Sequence, residues 1–449
     1  MTTGGNPAAA RAALARLLLP PGADPAVVSL LLARGLRGFA DGFVAVLLPA
    51  WLLALGFGTL QVGILSTATM LGSALATLAV GAWGHRFARA GLLRAAALLM
   101  AATGIGFAGA TSFWPLLVVA FVGTMNPSSG DVSVFLPLEH AWLAGASRGN
   151  ARTALYARYS VIGALCAALG ALASGMPDWL APRLGIAPLD ALRAMFVLYA
   201  AIGAIVWWLY RGLPGGAAKA RVTAGSAIAT AAPVTIDVAT AGAATAGAAT
   251  AAPEPAAPLG PSRPIVVRLA VLFSVDSFAS GLVVNALLSL WLLQRFGLSL
   301  AQAGQFFFWA GLLSAGSQLL SPIVARRIGL LNTMVFTHIP ANLFMLLAAF
   351  APTAPLALAL LLARSALSQM DVAPRTAYVM GVVKPAERAA AASFTAVPRS
   401  LAAALSPAIS GALFASGWLA APLIAAALIK LGYDLTLWQM FRRHPPRDE

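Results

Sequence analysis

Residues 241–258 read AGAATAGAATAAPEPAAP, a run of Ala, Gly, Thr and Pro interrupted by one charge, Glu254. Such a run has nothing to bury. With its neighbours it forms a tract from about 213 to 264 that reads as a flexible linker. On each side of the tract the chain turns apolar. Six long hydrophobic segments precede it, near 26–55, 58–83, 91–111, 114–142, 150–175 and 190–211, and six follow, near 265–294, 299–325, 330–351, 354–383, 388–415 and 418–441. Of the 449 residues 60% are hydrophobic and 10% charged, and the mean hydropathy is +0.85. A soluble chain of this length cannot hide that much apolar surface, so an all-α integral membrane protein is expected. The first 25 residues lack a clean signal-peptide core and read as a retained cytosolic tail (1–25). The expected order after it is a six-helix bundle (26–212), the linker (213–264), a second bundle (265–441) and a short tail (442–449).

The two halves repeat each other. Asp131-Val132 precedes Arg158 by 27 residues, and Asp371-Val372 precedes Arg399 by 28. Twelve residues after Arg158 comes Gly170-Ala171-Leu172, and twelve after Arg399 comes Gly411-Ala412-Leu413. Phe39-Ala40-Asp41-Gly42 leads to Trp51-Leu52-Leu53, as Phe278-Ala279-Ser280-Gly281 leads to Trp291-Leu292-Leu293. An offset near 240 thus runs from the first segment of each half to the fifth. The formal net charge of +15 suggests nucleic acid until its distribution is considered. Arg86, Arg89, Arg94, Arg148, Arg152, Arg326, Arg327, Lys384, Arg388, Arg442 and Arg443 all fall on one side of the twelve spans. This positive-inside pattern puts both termini and the linker in the cytosol and leaves no call for DNA or RNA.

The loop after the second segment reads Gly81-Ala82-Trp83-Gly84-His85-Arg86-Phe87-Ala88-Arg89-Ala90. It resembles the loop signature of the major facilitator superfamily, Gly-x-x-x-Asp-Arg-x-Gly-Arg-Lys, with His85 in place of the acid and Gly81, Arg86 and Arg89 retained. With the duplication, the resemblance covers essentially the whole chain. It implies 12 transmembrane helices arranged as two pseudo-symmetric six-helix bundles around a central cavity. It also implies that spans 1, 4, 7 and 10 line that cavity, with the site near the bilayer midplane. Those spans carry Asp41, Asp131, Asp276 and Asp371. A carboxylate there costs about 2.5 kcal/mol or more, so such residues usually serve function.

Helical spacing suggests partners. Arg37 and Asp41 are four apart on span 1, as are Asp371 and Arg375 on span 10, and each pair reads either as a self-neutralised ion pair or as one that opens for a proton or substrate. Asp131 with Arg158, and Asp371 with Arg399, read as braces within each half. Asp276 has no base within a turn, so it is expected either to stand unpaired as a proton site or to meet Arg37 across the halves. Asp41 and Asp276 are the proton-coupling candidates. Arg37, Asn126, Asp131, Asp371, Arg375 and Tyr378 are candidates for the cavity. Glu139 is expected to meet Arg148 or Arg152 as a cytosolic latch, and Lys430 to pair with Asp434 on span 12. Asn126-Pro127-Ser128-Ser129-Gly130 marks a kink or break in span 4, whereas its counterpart on span 10, Ala366 to Met370, is expected to be continuous.

Chemistry of other kinds finds no support. There is no phosphate loop, one cysteine, and no histidine–carboxylate spacing for a metal, so no cofactor, metal site or enzymatic activity is expected. The sequence points to a secondary transporter working by alternating access. Its partners would be a small organic solute, protons and the lipid bilayer, and a monomer is expected. Proton antiport that exports the solute is the first reading, encouraged by Ser406-Pro407-Ala408-Ile409-Ser410-Gly411, which resembles the family's antiporter motif. Proton symport of a nutrient and a transport-inactive sensor remain as alternatives. The Arg-over-Lys, Ala-rich composition suggests a bacterial plasma membrane.

Overall fold

A run of about 20 apolar residues is what a helix needs to cross the hydrocarbon core, because every backbone N–H and C=O must bond within the segment. The computed structural model describes residues 26–128, 133–146, 150–213 and 259–443, and all of its regular structure is helical. The linker expected at 213–264 and both tails lie largely outside these residues. The first half comprises α1 (Val27–Ala54), α2 (Thr59–Trp83), α3 (Arg89–Gly109), α4 (Phe113–Val122), α5 (Phe135–Ala146), α6 (Asn150–Ala173), the short α7 (Met176–Leu184) and α8 (Pro188–Arg211). The second comprises α9 (Arg263–Leu282), α10 (Asn285–Phe296), α11 (Leu300–Ile328), α12 (Leu330–Ala349), α13 (Ala354–Ser365), α14 (Val372–Val382), α15 (Arg388–Ala415) and α16 (Ala421–Phe441). Together they form twelve crossings in two six-span bundles, with α4–α5, α9–α10 and α13–α14 each making one crossing in two pieces.

Two of those interruptions, in spans 7 and 10, correct the expectation of continuous spans at 265–294 and 354–383. In span 10 the helix stops after Ser365, and residues 366–371 form turns. The cause is Pro374, the third residue of α14, whose ring would collide with the Met370 carbonyl four residues back. That carbonyl instead accepts from the Ser321 hydroxyl of α11 at 2.6 Å. In span 7 the chain breaks at Val283 and Val284, and the Leu282 carbonyl takes the Ser410 hydroxyl at 2.8 Å. The span 4 break around Pro127 meets the span 7 break directly: the Ala286 N–H donates to the Pro127 carbonyl at 3.1 Å. Irregular backbone survives at this depth because neighbouring spans supply its missing partners. In span 4 the sequence left open a simple kink; the helix in fact ends at Val122 and resumes at Phe135.

Helix pairs inside each half close on small residues, as membrane interfaces favour. On α1, Gly38 and Gly42 touch the α6 backbone: a Cβ at 42 would lie 2.0 Å from the Ala167 carbonyl oxygen. Gly281 of α9 meets the Ala403 carbonyl of α15 in the equivalent crossing, 2.2 Å from an added Cβ. The outer surface carries large apolar side chains, among them Ile105, Val118 and Leu319, each more than 60% exposed as lipid-facing groups should be. Exposed tryptophans stand at span ends, including Trp83, Trp114, Trp179, Trp208 and Trp418, the pattern of an interfacial aromatic belt.

The halves interlock at the end remote from the chain termini. Thr59 Oγ1 donates to the Gly411 carbonyl at 3.3 Å, the Ala408 N–H donates to Thr67 Oγ1 at 2.9 Å, and Gly63 lies against Pro407 and Gly411. Ser289 of α10 donates to the Val46 carbonyl of α1 at 2.9 Å, and the Ala301 N–H of α11 donates to Asp178 of α7 at 3.0 Å. The chain that resembles an antiporter motif, Ser406 to Gly411, is thus part of the joint between halves. At the opposite end, the loop motif folds as a short 3-10 turn, Gly84–Arg86, and Arg89 donates to the Ala141 carbonyl at 3.2 Å, tying span 3 to span 4.

Candidate functional site

Between the halves lies a cavity of about 540 Å³. Span 1 sends Arg34 and Asp41 into it, the broken span 4 sends Ser128, and spans 7 and 10 contribute Asp276, Asp371 and Arg375. The aromatic run on α11 contributes Phe306 and Phe307, while Trp309 faces outward. Serines and amides, including Ser280, Asn285, Gln318 and Asn342, fill much of the remaining wall. The lining is therefore more polar and more charged than a packed helix interface.

In the second half the charges form one cluster. Lys430 of α16 donates to Asp276 Oδ1 at 2.6 Å and to the Ser280 hydroxyl at 2.8 Å. Arg375 of α14 donates to Asp276 Oδ2 at 3.0 Å and also pairs with Asp371 one turn back. Asp276 is accordingly neither unpaired nor joined to Arg37: both its oxygens hold cations from its own half. Lys430 is not the partner of Asp434. That carboxylate instead takes His338 Nδ1 at 2.9 Å and the Asn342 amide at 2.9 Å, both from α12. The physical reason is directional. Four-residue spacing puts two side chains on one face, but α16 points that face at α9 and α12, where better partners wait.

The first half holds a second cluster of the opposite polarity. Arg37 of α1 pairs with Glu139 of α5, and the hydroxyls of Tyr159 (α6) and Tyr210 (α8) donate to the same carboxylate. Arg37 is also stacked on the Phe135 ring, 4.0 Å from its centroid. Glu139 is fully buried, so the cytosolic latch expected of it is overturned, and Arg37 does not spend itself on Asp41. The Arg148 backbone and the Arg152 side chain lie outside the described residues. Base on span 1 with acid on span 4 becomes acid on span 7 with base on span 10. The two pairs are not strict repeats, since the offset near 240 sets Arg375 against Phe135, one turn before Glu139.

The other expected residues fall as follows. Asp131 lies outside the described residues, and with it the brace to Arg158. Asp371 gives its carboxylate to Arg375, while Arg399 directs Nε to Ser277 of α9 at 3.3 Å, so that brace runs from span 11 to span 7. Asn126 is buried, its amide oxygen occupied by the Ser128 N–H at 3.0 Å and the Ser128 hydroxyl at 2.7 Å; Ser128, not Asn126, reaches the cavity. Tyr378 packs edge-on against Phe441 in a buried apolar cluster away from the cavity. Sequence reasoning passed over Arg34, Arg364 and Lys430 as cavity residues. For Arg34 a signal existed, since it stands seven residues before Asp41 on the same face of span 1. Among the described residues no group of three or more His, Cys, Asp or Glu side chains is placed to hold a metal ion.

Comparisons place this arrangement among known proteins. The sequence profile of the Major Facilitator Superfamily matches residues 30–368. A curated relative, "Uncharacterized membrane protein YJR124C" of Saccharomyces cerevisiae, is 26% identical over 412 residues, spanning 90% of this chain and 92% of its own. Among solved structures, the nucleoside transporter NupG superposes with a TM-score of 0.68 at 15% identity, over 93% of this chain and 99% of that one. The D-xylose-proton symporter superposes at 0.64 with 16% identity, over 92% and 97%.

Proposed function

The chain belongs to the Major Facilitator Superfamily and is a multi-pass membrane transporter of some solute, and from that premise we propose that it couples the solute to protons at Asp41 through the cavity between its halves. The observation that carries this reading is the placement of Asp41, on α1, in the same cavity as the Asp276–Lys430–Arg375 cluster of the other half. A proton on Asp41 and a solute against the cluster then bias one equilibrium between the two orientations of the halves, which is all that coupling requires. Asp276 serves differently from the expectation: it can accept a proton only by releasing Lys430 or Arg375, so it acts as a switch that the solute opens. The halves meet at the end away from the termini, and with the termini in the cytosol this is an inward-facing conformer. The membrane is a bacterial plasma membrane in this reading, and the unit is a monomer.

Exchange of solute for protons, exporting the solute, remains the first reading. Import by proton symport is the second, favoured by likeness of fold to the D-xylose-proton symporter. Sealed vesicles carrying the chain and an internal pH dye distinguish them by the sign of the proton movement that each added compound drives. Asp41→Asn is expected to reduce gradient-driven accumulation by about tenfold or more while leaving solute-for-solute exchange intact. Undiminished uphill accumulation by that variant would remove Asp41 from the mechanism.

A further inference from the structure

Five cations line the cavity, Arg34, Arg364, Arg375, Arg399 and Lys430, against three carboxylates among the described residues, Asp41, Asp276 and Asp371. The ion pairs above consume two cations, Arg375 and Lys430, committed to Asp276 and Asp371, and Arg399 gives its Nε–H to Ser277. Arg34 on α1 and Arg364 on α13 stand apart, each with no ion pair to a described carboxylate and with a buried Nε–H that meets no acceptor among the described residues. A guanidinium in low-dielectric surroundings is costly without a counter-charge, and its planar fork matches a carboxylate or phosphate better than any neutral group.

The chain also builds a seat for each of them. Gly163 of α6 leaves the room that Arg34 occupies, since a Cβ there would stand 2.3 Å from its Nε. The guanidinium lies over the Tyr159 ring, 5.2 Å from the centroid. Arg364 sits at the break in span 10, where its carbonyl accepts from the Leu367 N–H at 3.0 Å and the Ser368 N–H at 2.9 Å, fixing the backbone that carries it. The two arginines come from opposite halves and enter one cavity. We propose that the transported solute bears an anionic group, a carboxylate or a phosphate, and that Arg34 and Arg364 grip it from the two halves. This rests on the transport reading above and names its substrate class. The serine and amide walls suit hydroxyl groups on the rest of the solute, and bridging the halves through one anion ties its binding to their relative motion.

The test uses the purified full chain and matched pairs of probes: gluconate with gluconamide, lactate with lactamide, benzoate with benzamide, and glucose 6-phosphate with glucose, with sodium phosphate and sodium chloride as separate arms. Thermal stabilisation reads binding. At least one acid is expected to stabilise the protein where its neutral twin does not, and the carboxylate and phosphate arms identify which anion fits. Arg34→Gln and Arg364→Gln should each weaken that binding by about ten- to a hundredfold, the worth of one charge-assisted hydrogen bond out of water. Gly163→Ala, which keeps every charge but displaces Arg34, should weaken it too, so the test survives if one arginine variant does not fold. Equal binding of acid and neutral twin, acid-selective binding untouched by all three substitutions, or no acid binding to folded wild-type protein would each overturn the clamp. Proton flux in vesicles scores transport separately. A neutral twin that drives flux overturns the clamp and leaves transport standing; acid-selective binding without flux does the reverse.

Discussion

Asp276→Asn is expected to cost the folded protein about 3–5 kcal/mol, because it removes the carboxylate that neutralises two buried cations at once. Lys430 then keeps only the Ser280 hydroxyl, a neutral partner, and Arg375 keeps Asp371. Both cations are under a tenth exposed, so water cannot replace the lost charge. Lys430→Met alone is expected to cost less, since Asp276 retains Arg375 at 3.0 Å. The double variant, Asp276→Asn with Lys430→Met, removes acid and base together and should recover much of the loss, as apolar replacement of a whole buried pair often does. Thermal unfolding of the detergent-solubilised variants gives the cycle directly. Transport by the double variant then separates two roles: restored stability with restored transport makes the cluster a brace, and restored stability without transport makes it part of the coupling. Two single variants as stable as the parent would contradict the ion-pair geometry itself.

Glu139→Leu should be comparably damaging in the first half. It strands the Arg37 guanidinium and two tyrosine hydroxyls, Tyr159 and Tyr210, in a site where all four side chains are buried. An uncompensated buried arginine again costs about 3–5 kcal/mol. Glu139→Gln should cost less, because an amide oxygen still accepts from one or two of these donors. On α1, Asp41 stands one turn from Arg37, within reach once Glu139 is gone. Removing Glu139 is therefore expected to impair proton coupling as well as stability, and adding Asp41→Asn to Glu139→Gln should worsen stability more than it does in the parent. Melting temperatures of the four proteins, at matched yield from the membrane, check this; strict additivity would mean that Arg37 never turns to Asp41.

The architecture was legible in the sequence because it follows from quantities that add along the chain. Hydropathy marks the spans, and a repeat near 240 residues marks the two halves. Site partners were not legible to the same degree, because a charge's partner depends on which face each helix turns to its neighbour. Intrahelical spacing succeeded for Asp371 with Arg375 and failed for Arg37 with Asp41 and for Lys430 with Asp434, where a neighbouring helix offered a closer or better-hydrogen-bonded group. The break in span 10 had a readable signal in Pro374. That signal is displaced from its effect, because the proline lies after the interruption while residues 366–370 themselves contain no helix breaker. Tyr378 misled for a simpler cause: its position on span 10 said nothing of its azimuth, which turns to Phe441.

The most direct test of alternating access is a covalent lock across the joint between halves. Thr67 of α2 and Ala408 of α15 touch through a 2.9 Å hydrogen bond from the Ala408 N–H, close enough for a disulfide, which needs Cα atoms within about 7 Å. In a background carrying Cys166→Ser, cysteines are placed at positions 67 and 408, the membranes oxidised, and uptake or efflux measured before and after reduction. Oxidation is expected to stop transport and reduction to restore it, since the halves must part at this end for the cavity to change sides. Transport that continues at full rate through a completely formed crosslink would contradict alternating access across this joint.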